Sequence, residues 1–361
     1  MKLGIIGLGG WVTYGHLPAL SELGVKVESC VDIDERRVKD FSSKTGCKGY
    51  TDYIDMLKNE NPDLVLIAVP HSLHAKIALD ALSNGSNVYV EKPMATSFEE
   101  ALKLVEASKK KNKILVVGHE FRFEQNSLTA KKLIKNGELG NIYHVRSLYI
   151  RQKGIPTSST FIRKDLAKGG VIFDLATHLV DLIMFFLDFP TPKSVVSRTH
   201  YVFSQDKTKF SSYPSPTLPK DKVEVEDFAS AFLDLDGISV YIETSWASYI
   251  KESKREIVIL GNKGGIHIDN SLYFMRNIAD EFFISNPLTT QQRSVYKEVW
   301  SKIINAIEKA EIPYPFCTVE QGAINVAILE SMYKSAMEGK EVKIDIPAWL
   351  LQSAKQSLEV N

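Results

Sequence analysis

Cysteine is scarce in this 361-residue chain, where only Cys30, Cys47 and Cys317 occur. Three widely separated thiols make neither a disulfide framework nor the paired spacing of a metal site, and they fit a reducing compartment. Long apolar runs are lacking too. No segment reaches the ~18 consecutive apolar residues that a membrane-spanning helix needs. The apolar, glycine-rich start at residues 3–10 is too short to span a bilayer, and no small-residue cleavage site follows it. A cytoplasmic location without a membrane partner is the expectation. Net charge is also absent, since 44 Lys and Arg balance 44 Asp and Glu. Nucleic acids and anionic surfaces need concentrated positive charge, so neither is an expected partner. The run Lys109-Lys110-Lys111 reads as the solvated end of a helix, where cations suit the dipole. The eight histidines show no ligand spacing, and no metal is expected. There is no internal repeat and no low-complexity tract.

What the chain does contain is ordinary globular material. It is 44% hydrophobic and 24% charged, with 21 Gly and 14 Pro. That length exceeds what one hydrophobic core usually organises, so two domains are expected. Up to about residue 120, short apolar runs alternate with helical stripes. Strands are expected at Lys2–Gly7, Val25–Asp32, Leu64–Val69, Asn87–Glu91 and Ile114–Gly118. Helices are expected at Leu17–Gly24, Arg36–Gly46, Ser72–Gly85 and Ser97–Asn112. Continuous apolar strands separated by amphipathic helices imply a parallel sheet covered on both faces. Beyond residue 121 the rhythm changes. A helix at Ser127–Asn136, an alternating strand at Ile142–Arg151 and an apolar helix at Ile172–Leu187 precede a cluster of strand-like stretches. These are Ser194–Phe203, Asp227–Leu235, Ile238–Ser245, Arg255–Leu260, Gly265–Ile268 and Glu281–Ser285. Such clustering points to an antiparallel or mixed sheet. The proline-rich stretch Ser204–Lys222 reads as a surface loop, and helices follow at Val295–Lys309 and Val319–Glu338. The domain boundaries are accordingly set at 1–120 and 121–361.

Between the first strand and first helix stands Gly7-Leu8-Gly9-Gly10-Trp11-Val12. Glycine allows the tight turn, and a missing side chain lets backbone approach a pyrophosphate; the helix start offers free N–H groups. Val12 occupies the place of the third Gly or Ala of that fingerprint. Asp32 lies 25 residues after Gly7, at the end of the second strand. A carboxylate there can accept from both ribose hydroxyls and repel a 2′-phosphate, which favours NAD over NADP. Arg36 and Arg37 stand close enough to reverse that preference. Read without the glycine loop, Asp32 is an ordinary turn or cap residue.

Further pieces appear in order along the chain: Ala68-Val69-Pro70-His71-Ser72-Leu73-His74, Glu91-Lys92-Pro93, Gly118-His119-Glu120-Phe121-Arg122-Phe123, and Gly169-Gly170-Val-Ile-Phe-Asp174-Leu-Ala-Thr-His178-Leu-Val-Asp181. Ile259-Leu260-Gly261-Asn262-Lys263-Gly264-Gly265 and Val319-Glu320-Gln321-Gly322 complete the set. Each piece is modestly specific, and the ordered set is highly so. With it the chain resembles the Gfo/Idh/MocA family of oxidoreductases, and the resemblance spans nearly its whole length. It implies an α/β fold: an N-terminal Rossmann doubly wound parallel sheet, then an α+β domain with a large open, mainly antiparallel sheet. One face of that sheet commonly forms the subunit interface, which implies a homodimer or homotetramer. It also implies hydride transfer between NAD (NADP possible) and a hydroxyl or keto carbon of a sugar, sugar acid or cyclitol. Lys92, Asp174 and His178 correspond to the residues lining the family's catalytic site. Glu120 and Phe121 depart from its G-[YH]-N-R-R-F pattern, which puts substrate preference in doubt.

The chemistry of the residues agrees with this assignment. Oxidising a secondary alcohol requires removing a proton from oxygen as hydride leaves carbon. Asp174 and His178 are spaced i,i+4 and so project from one helix face. His178 suits the acid/base, Lys92 can stabilise developing charge on the same oxygen, and Asp174 can orient either group or bind a neighbouring hydroxyl. Meeting that demand requires Lys92 and His178 to converge beside the nicotinamide. Cofactor contacts are expected from Gly7 to Val12, Asp32, Arg37, Ala68 to Pro70, His71, His74, Glu91 and Lys92. Substrate contacts are expected from Lys92, Arg122, Asp174 and His178; Arg151 and Lys153 are further candidate cations, with a solvated surface as their plain reading. His16 and Pro18 read as positional. Competing readings are reduction of an imine, a tetrapyrrole or a nucleotide-linked sugar, and an NAD(H)-sensing regulator without chemistry.

Overall fold

The computed structural model describes residues 1–211, 218–219, 221–287 and 294–359. Its backbone divides into two compact units. The first comprises Met1–Glu120, Arg293–Ala323 and Ser357–Asn361; the second comprises Phe121–Gln292 and Ile324–Gln356.

In the first unit six parallel strands form one sheet: β1 (Leu3–Ile6), β2 (Val27–Val31), β3 (Lys48–Tyr50), β4 (Leu64–Ile67), β5 (Asn87–Glu91) and β6 (Leu115–Gly118). Their order, β3-β2-β1-β4-β5-β6, reverses between β1 and β4. That reversal opens a crevice at the carboxyl ends of the two strands, where doubly wound folds bind ligands. Every residue of β1 and β4 is buried, as expected for a sheet covered on both faces. Local signals start and stop the helices. Asp34 accepts from the Arg36 amide to cap Glu35–Thr45, Ser97 caps Phe98–Lys111, and Gly46 closes the former at φ +74°.

Two features differ from the sequence expectation. The helix Val295–Lys309 and the short strand Cys317–Thr318 belong to the first unit, whereas the expected boundary left them to the second domain. The reason is tertiary: Trp300 is fully buried against His16, and Cys317 and Thr318 pair antiparallel with Val117 and Val116. The structure also joins Cys30 to Cys47 as a disulfide, with Cα atoms 6.2 Å apart. This corrects the reading of the cysteines as unpaired and withdraws their support for a reducing compartment. The bond lies under the end of β2, two residues before Asp32.

The second unit is built on a nine-stranded sheet. Its strands are β7 (Ile142–Ile150), β8 (Pro192–His200), β9 (Phe228–Leu235), β10 (Ile238–Ser245), β11 (Lys254–Gly261), β12 (Gly264–Ile268), β13 (Leu272–Ile278) and β14 (Glu281–Ser285), with Val342–Lys343 at one edge. Only the β7–β10 pairing is parallel. Registers explain why one face is core. Val195, Leu233, Val240, Val145, Ile259 and Ile266 line up across the sheet, and all are buried. The neighbouring row on the other face includes Val196, half-exposed Phe232, Tyr241, Arg146 and Val258. The helical run Lys164–Phe186 is long and apolar enough to cross a membrane, but 94% of its apolar window is buried inside the fold. It is a core helix. The loop expected at Ser204–Lys222 falls partly outside the described residues; within it Lys207–Lys209 form a single 3-10 turn.

Closing the loop from Cys30 to Cys47, 17 residues apart, restricts the unfolded chain. Its loss is expected to cost about 3 kcal/mol. The check is urea unfolding of the Cys30→Ser/Cys47→Ser double variant against the parent under oxidising conditions. Equal midpoints would mean that the bridge contributes nothing.

Candidate active site

The first unit's crevice starts where β1 ends. Gly7 takes φ +92°, and a Cβ there would stand 2.2 Å from the Ala68 carbonyl oxygen. Only glycine lets the loop cross the end of β4 so closely. A Cβ on Gly9, by contrast, would project into open space. The helix that follows opens with a π turn at Val12–His16, and Val12 is fully buried. Trp11, directly before this turn, and Tyr14, within it, are exposed at 46% and 63%.

Asp32 is nearly buried, and both its oxygens are used. Oδ2 accepts from the Leu8 amide at 3.0 Å and lies 3.5 Å from Arg37; Oδ1 accepts from the Asp34 amide at 2.9 Å. The acid thus ties the glycine loop to the end of β2 while each oxygen keeps a further lone pair. Arg36 is drawn away by Asp34 through two bonds of 3.1 and 3.2 Å. Ile33, which the sequence reading passed over, is 94% exposed beside Asp32. Its only sequence signal is its place directly after the acid.

Ala68, Val69 and Pro70 are half-buried at the end of β4. His71 and His74 meet edge to face, but His74 is committed to the backbone: Nδ1 lies 2.7 Å from the Pro93 carbonyl and Nε2 2.8 Å from that of Val69. A neutral ring donates to one of these and only an imidazolium to both. Either way His74 clamps the end of β4 to the turn after β5. Glu91 is also tied into the fold. Its Oε1 lies 2.9 Å from His16 Nε2, and Trp300 donates its indole N–H to His16 Nδ1 at 3.1 Å. Accepting at Nδ1 places the proton on Nε2, so the chain Trp300–His16–Glu91 runs in one direction. Its terminus lies directly before Lys92, which heads a cis Lys92–Pro93 peptide and is half-buried. His16, expected to be positional, sits in that chain.

In the second unit the helix that carries Asp174 and His178 follows Gly169-Gly170. A Cβ on Gly169 would stand 1.8 Å from the Tyr333 hydroxyl, and one on Gly170 1.9 Å from the Glu226 carbonyl oxygen. Glu226 itself is buried, and its Oε1 accepts from the Gly170 and Ile172 amides at 2.9 and 3.1 Å and from Tyr333 at 2.6 Å. Burial pushes this carboxyl above the usual range, and the donated bonds pull against that shift. Sequence reasoning missed Glu226 because its partners lie 54 and more residues away.

The pinned end leads into a π turn, Ile172–Ala176, and then the α-helix Thr177–Phe186. Asp174 sits in the π turn and His178 in the α-helix, which keeps them on neighbouring positions of one face. Trp246, fully buried, donates its indole N–H to Asp174 Oδ2 at 2.8 Å. Phe121 stacks on the His178 imidazole, with centroids 4.3 Å apart and planes 24° apart. The Arg255 guanidinium lies 4.1 Å from the centre of the same phenyl ring and is held by Glu124 at 2.8 and 2.9 Å. Arg122 leaves the substrate set. It is fully buried, grips Asp181 at 2.7 and 2.8 Å and lies over Phe185 and Phe189. Lys153 is exposed.

Both parts of the chain match known proteins. Residues 1–119 match the family described as "Oxidoreductase family, NAD-binding Rossmann fold", GFO_IDH_MocA, and residues 127–267 match a GFO/IDH/MocA C-terminal domain. D-Glucoside 3-dehydrogenase of Escherichia coli is 27% identical over 80% of this chain and 81% of its own. Glucose-6-phosphate 3-dehydrogenase of Bacillus subtilis is 30% identical over 73% of this chain and 72% of its own. Levoglucosan dehydrogenase, solved with NADH and L-sorbose, has the same fold, with a TM-score of 0.82 at 20% identity over 96% of this chain and 99% of that one.

Asp32→Ser is expected to weaken NADH binding and to narrow the NAD-to-NADP affinity ratio by about tenfold, the loss of one or two charge-assisted bonds. Titrating nicotinamide fluorescence with both reduced cofactors measures it. An unchanged ratio would remove Asp32 from the choice of cofactor.

Proposed function

The chain belongs to the Gfo/Idh/MocA family of oxidoreductases, and on that premise we propose that it moves hydride between NAD and a secondary carbinol of a sugar, sugar acid or cyclitol. The single observation that carries the reading is the placement of Asp174 and His178 on adjoining turns of one helical run whose start is pinned by Glu226.

The first unit fits the cofactor. Open space at Gly9 leaves room for a pyrophosphate, and the helix start offers it amides. Asp32 keeps acceptor capacity for a ribose diol, and exposed Ile33 offers an apolar surface to a flat base. When bound, the nicotinamide supplies the carbon that accepts or returns hydride. The remaining work belongs to the chain. His178 takes the carbinol proton at an imidazole nitrogen, and stacking on Phe121 restricts the ring to one plane. Lys92, next to the hydrogen-bonded Glu91 of the first unit, supplies an ammonium suited to stabilising developing negative charge. Asp174, with Oδ2 held by Trp246, orients a neighbouring hydroxyl. Sugar dehydrogenases among the relatives support a polyol substrate, including the E. coli D-glucoside and B. subtilis glucose-6-phosphate enzymes.

Association through the outward face of the nine-stranded sheet, as a homodimer or homotetramer, is part of the same reading. Its support is the aromatic and aliphatic row that includes Val196 and Phe232, exposed at 39% and 50%. Dependence on a dinucleotide recycled inside cells supports a cytoplasmic location.

His178→Ala is expected to lower kcat by ~10²- to 10⁴-fold while NADH still binds. Absorbance at 340 nm with NAD and a panel of aldoses, their acids and inositols checks this. Near-normal turnover in the variant would overturn the acid/base assignment.

A further inference from the structure

Charged side chains of the second unit are mostly matched. Arg122 holds Asp181, Arg146 reaches Glu256 at 2.9 Å, and Arg255 grips Glu124 with both terminal nitrogens. Arg163 and Arg276 also face carboxylates, while Arg198 donates to the carbonyls of Ser197 and Gly339. Arg151 is different. Among the described residues no carboxylate lies within 4.0 Å of its guanidinium. Its polar partner is the Tyr149 hydroxyl, to which it donates at 2.9 Å, and its guanidinium carbon lies 4.8 Å from the centre of that ring.

The group is nevertheless held in place. A Cβ on Gly154 would stand 2.8 Å from Arg151 Cδ, so the aliphatic stem presses on backbone. Its placement relative to the catalytic side chains is what gives it meaning. Tyr149 neighbours Phe121, with ring centres 6.3 Å apart, and Phe121 is the ring stacked on His178. Asp174 is also near. Burial disfavours the guanidinium charge, but Tyr149 and Asp174 outweigh it and raise the pKa, so Arg151 stays cationic. A half-buried cation with no carboxylate in direct contact is costly unless something completes it. A guanidinium has five donors in a planar fork, which matches carboxylate and phosphate oxygens two at a time.

We propose that Arg151 receives an oxyanion of the substrate, a carboxylate or a phosphate ester carried by the polyol whose carbinol faces Asp174 and His178. This rests on the sugar-dehydrogenase reading and narrows it: the substrate is an anionic polyol rather than a neutral one. Tyr149 and Gly154 hold the fork ready, and the contacting oxyanion arrives with the ligand. The same wall then offers an acceptor in Asp174, an acid/base in His178 and an anion clamp in Arg151.

Isothermal titration of the NADH-saturated enzyme tests this with two matched series: glucose, glucuronate and glucose 6-phosphate, and galactose, galacturonate and galactose 6-phosphate. In at least one series an anionic member is expected to bind roughly ten- to a hundredfold tighter than its neutral parent. Whether the uronate or the phosphate gains that advantage identifies the source of the oxyanion. Arg151→Gln is expected to abolish the advantage and Arg151→Lys to keep part of it, since an ammonium supplies charge without the fork. Thermal melts of both variants establish that they fold. Should the glutamine variant unfold, the lysine variant and the weakening of wild-type anion binding by salt carry the test. Equal affinity for anionic and neutral members, an advantage unchanged in the variants, or binding of none of the six overturns the proposal. The oxidoreductase reading fails separately, if a tightly bound anion gives no NADH when NAD replaces it in the assay.

Discussion

Close approach of backbone to backbone is the constraint on which the rest depends. At Gly170 a Cβ would stand 1.9 Å from the Glu226 carbonyl, and at Gly7 one would stand 2.2 Å from the Ala68 carbonyl. Neither contact tolerates a side chain, and each fixes a loop from which a functional helix departs. In the first unit the loop frames the crevice at Gly9. In the second it delivers Asp174 and His178. Precision of this kind matters because misplacing a reacting group by about 1 Å can cost ~10²-fold in rate.

Buried polar links then hold what the glycines have positioned. Trp300, His16 and Glu91 form a directed hydrogen-bonded chain beneath Lys92, and His74 joins the turn after β4 to the Pro93 carbonyl. Trp246 holds Asp174, and Glu226 with Tyr333 closes the start of the helix that carries Asp174 and His178. Each link satisfies groups that would be expensive to bury alone, so the networks order the site at small net cost. Both π turns, at Val12–His16 and Ile172–Ala176, occur where a helix leaves a glycine-bearing loop. Such turns add a residue to the helical circuit and are frequent at functional sites.

Much of this was legible in the chain itself. The apolar runs of β1, β4 and β5, the glycine loop and Asp32 carry periodic or positional signals that local physics reads directly. Other parts carry none. The three-residue β3 is polar, exposed at Lys48 and Gly49, and resembles a turn. Val295–Lys309 has a plain helical stripe, but nothing in it says that Trp300 packs under His16. Arg122 and Asp181 are 59 residues apart, so a matched buried pair reads in sequence as a lone cation. Cys30 and Cys47 look unpaired for the same reason, because only the β2–β3 pairing brings them together. Local rules recover elements and loops, whereas pairings at long range decide which charged and polar groups remain for function.

Hydride transfer itself is the claim to measure. The purified protein is incubated with NAD and a polyol substrate deuterated in turn at each carbinol carbon, and the reduced cofactor is weighed by mass spectrometry. One position is expected to deliver its deuterium to the nicotinamide without loss to solvent, and that position names the carbon set against His178. Reduced cofactor that carries no label from any position, or no reduced cofactor at all, would contradict the account.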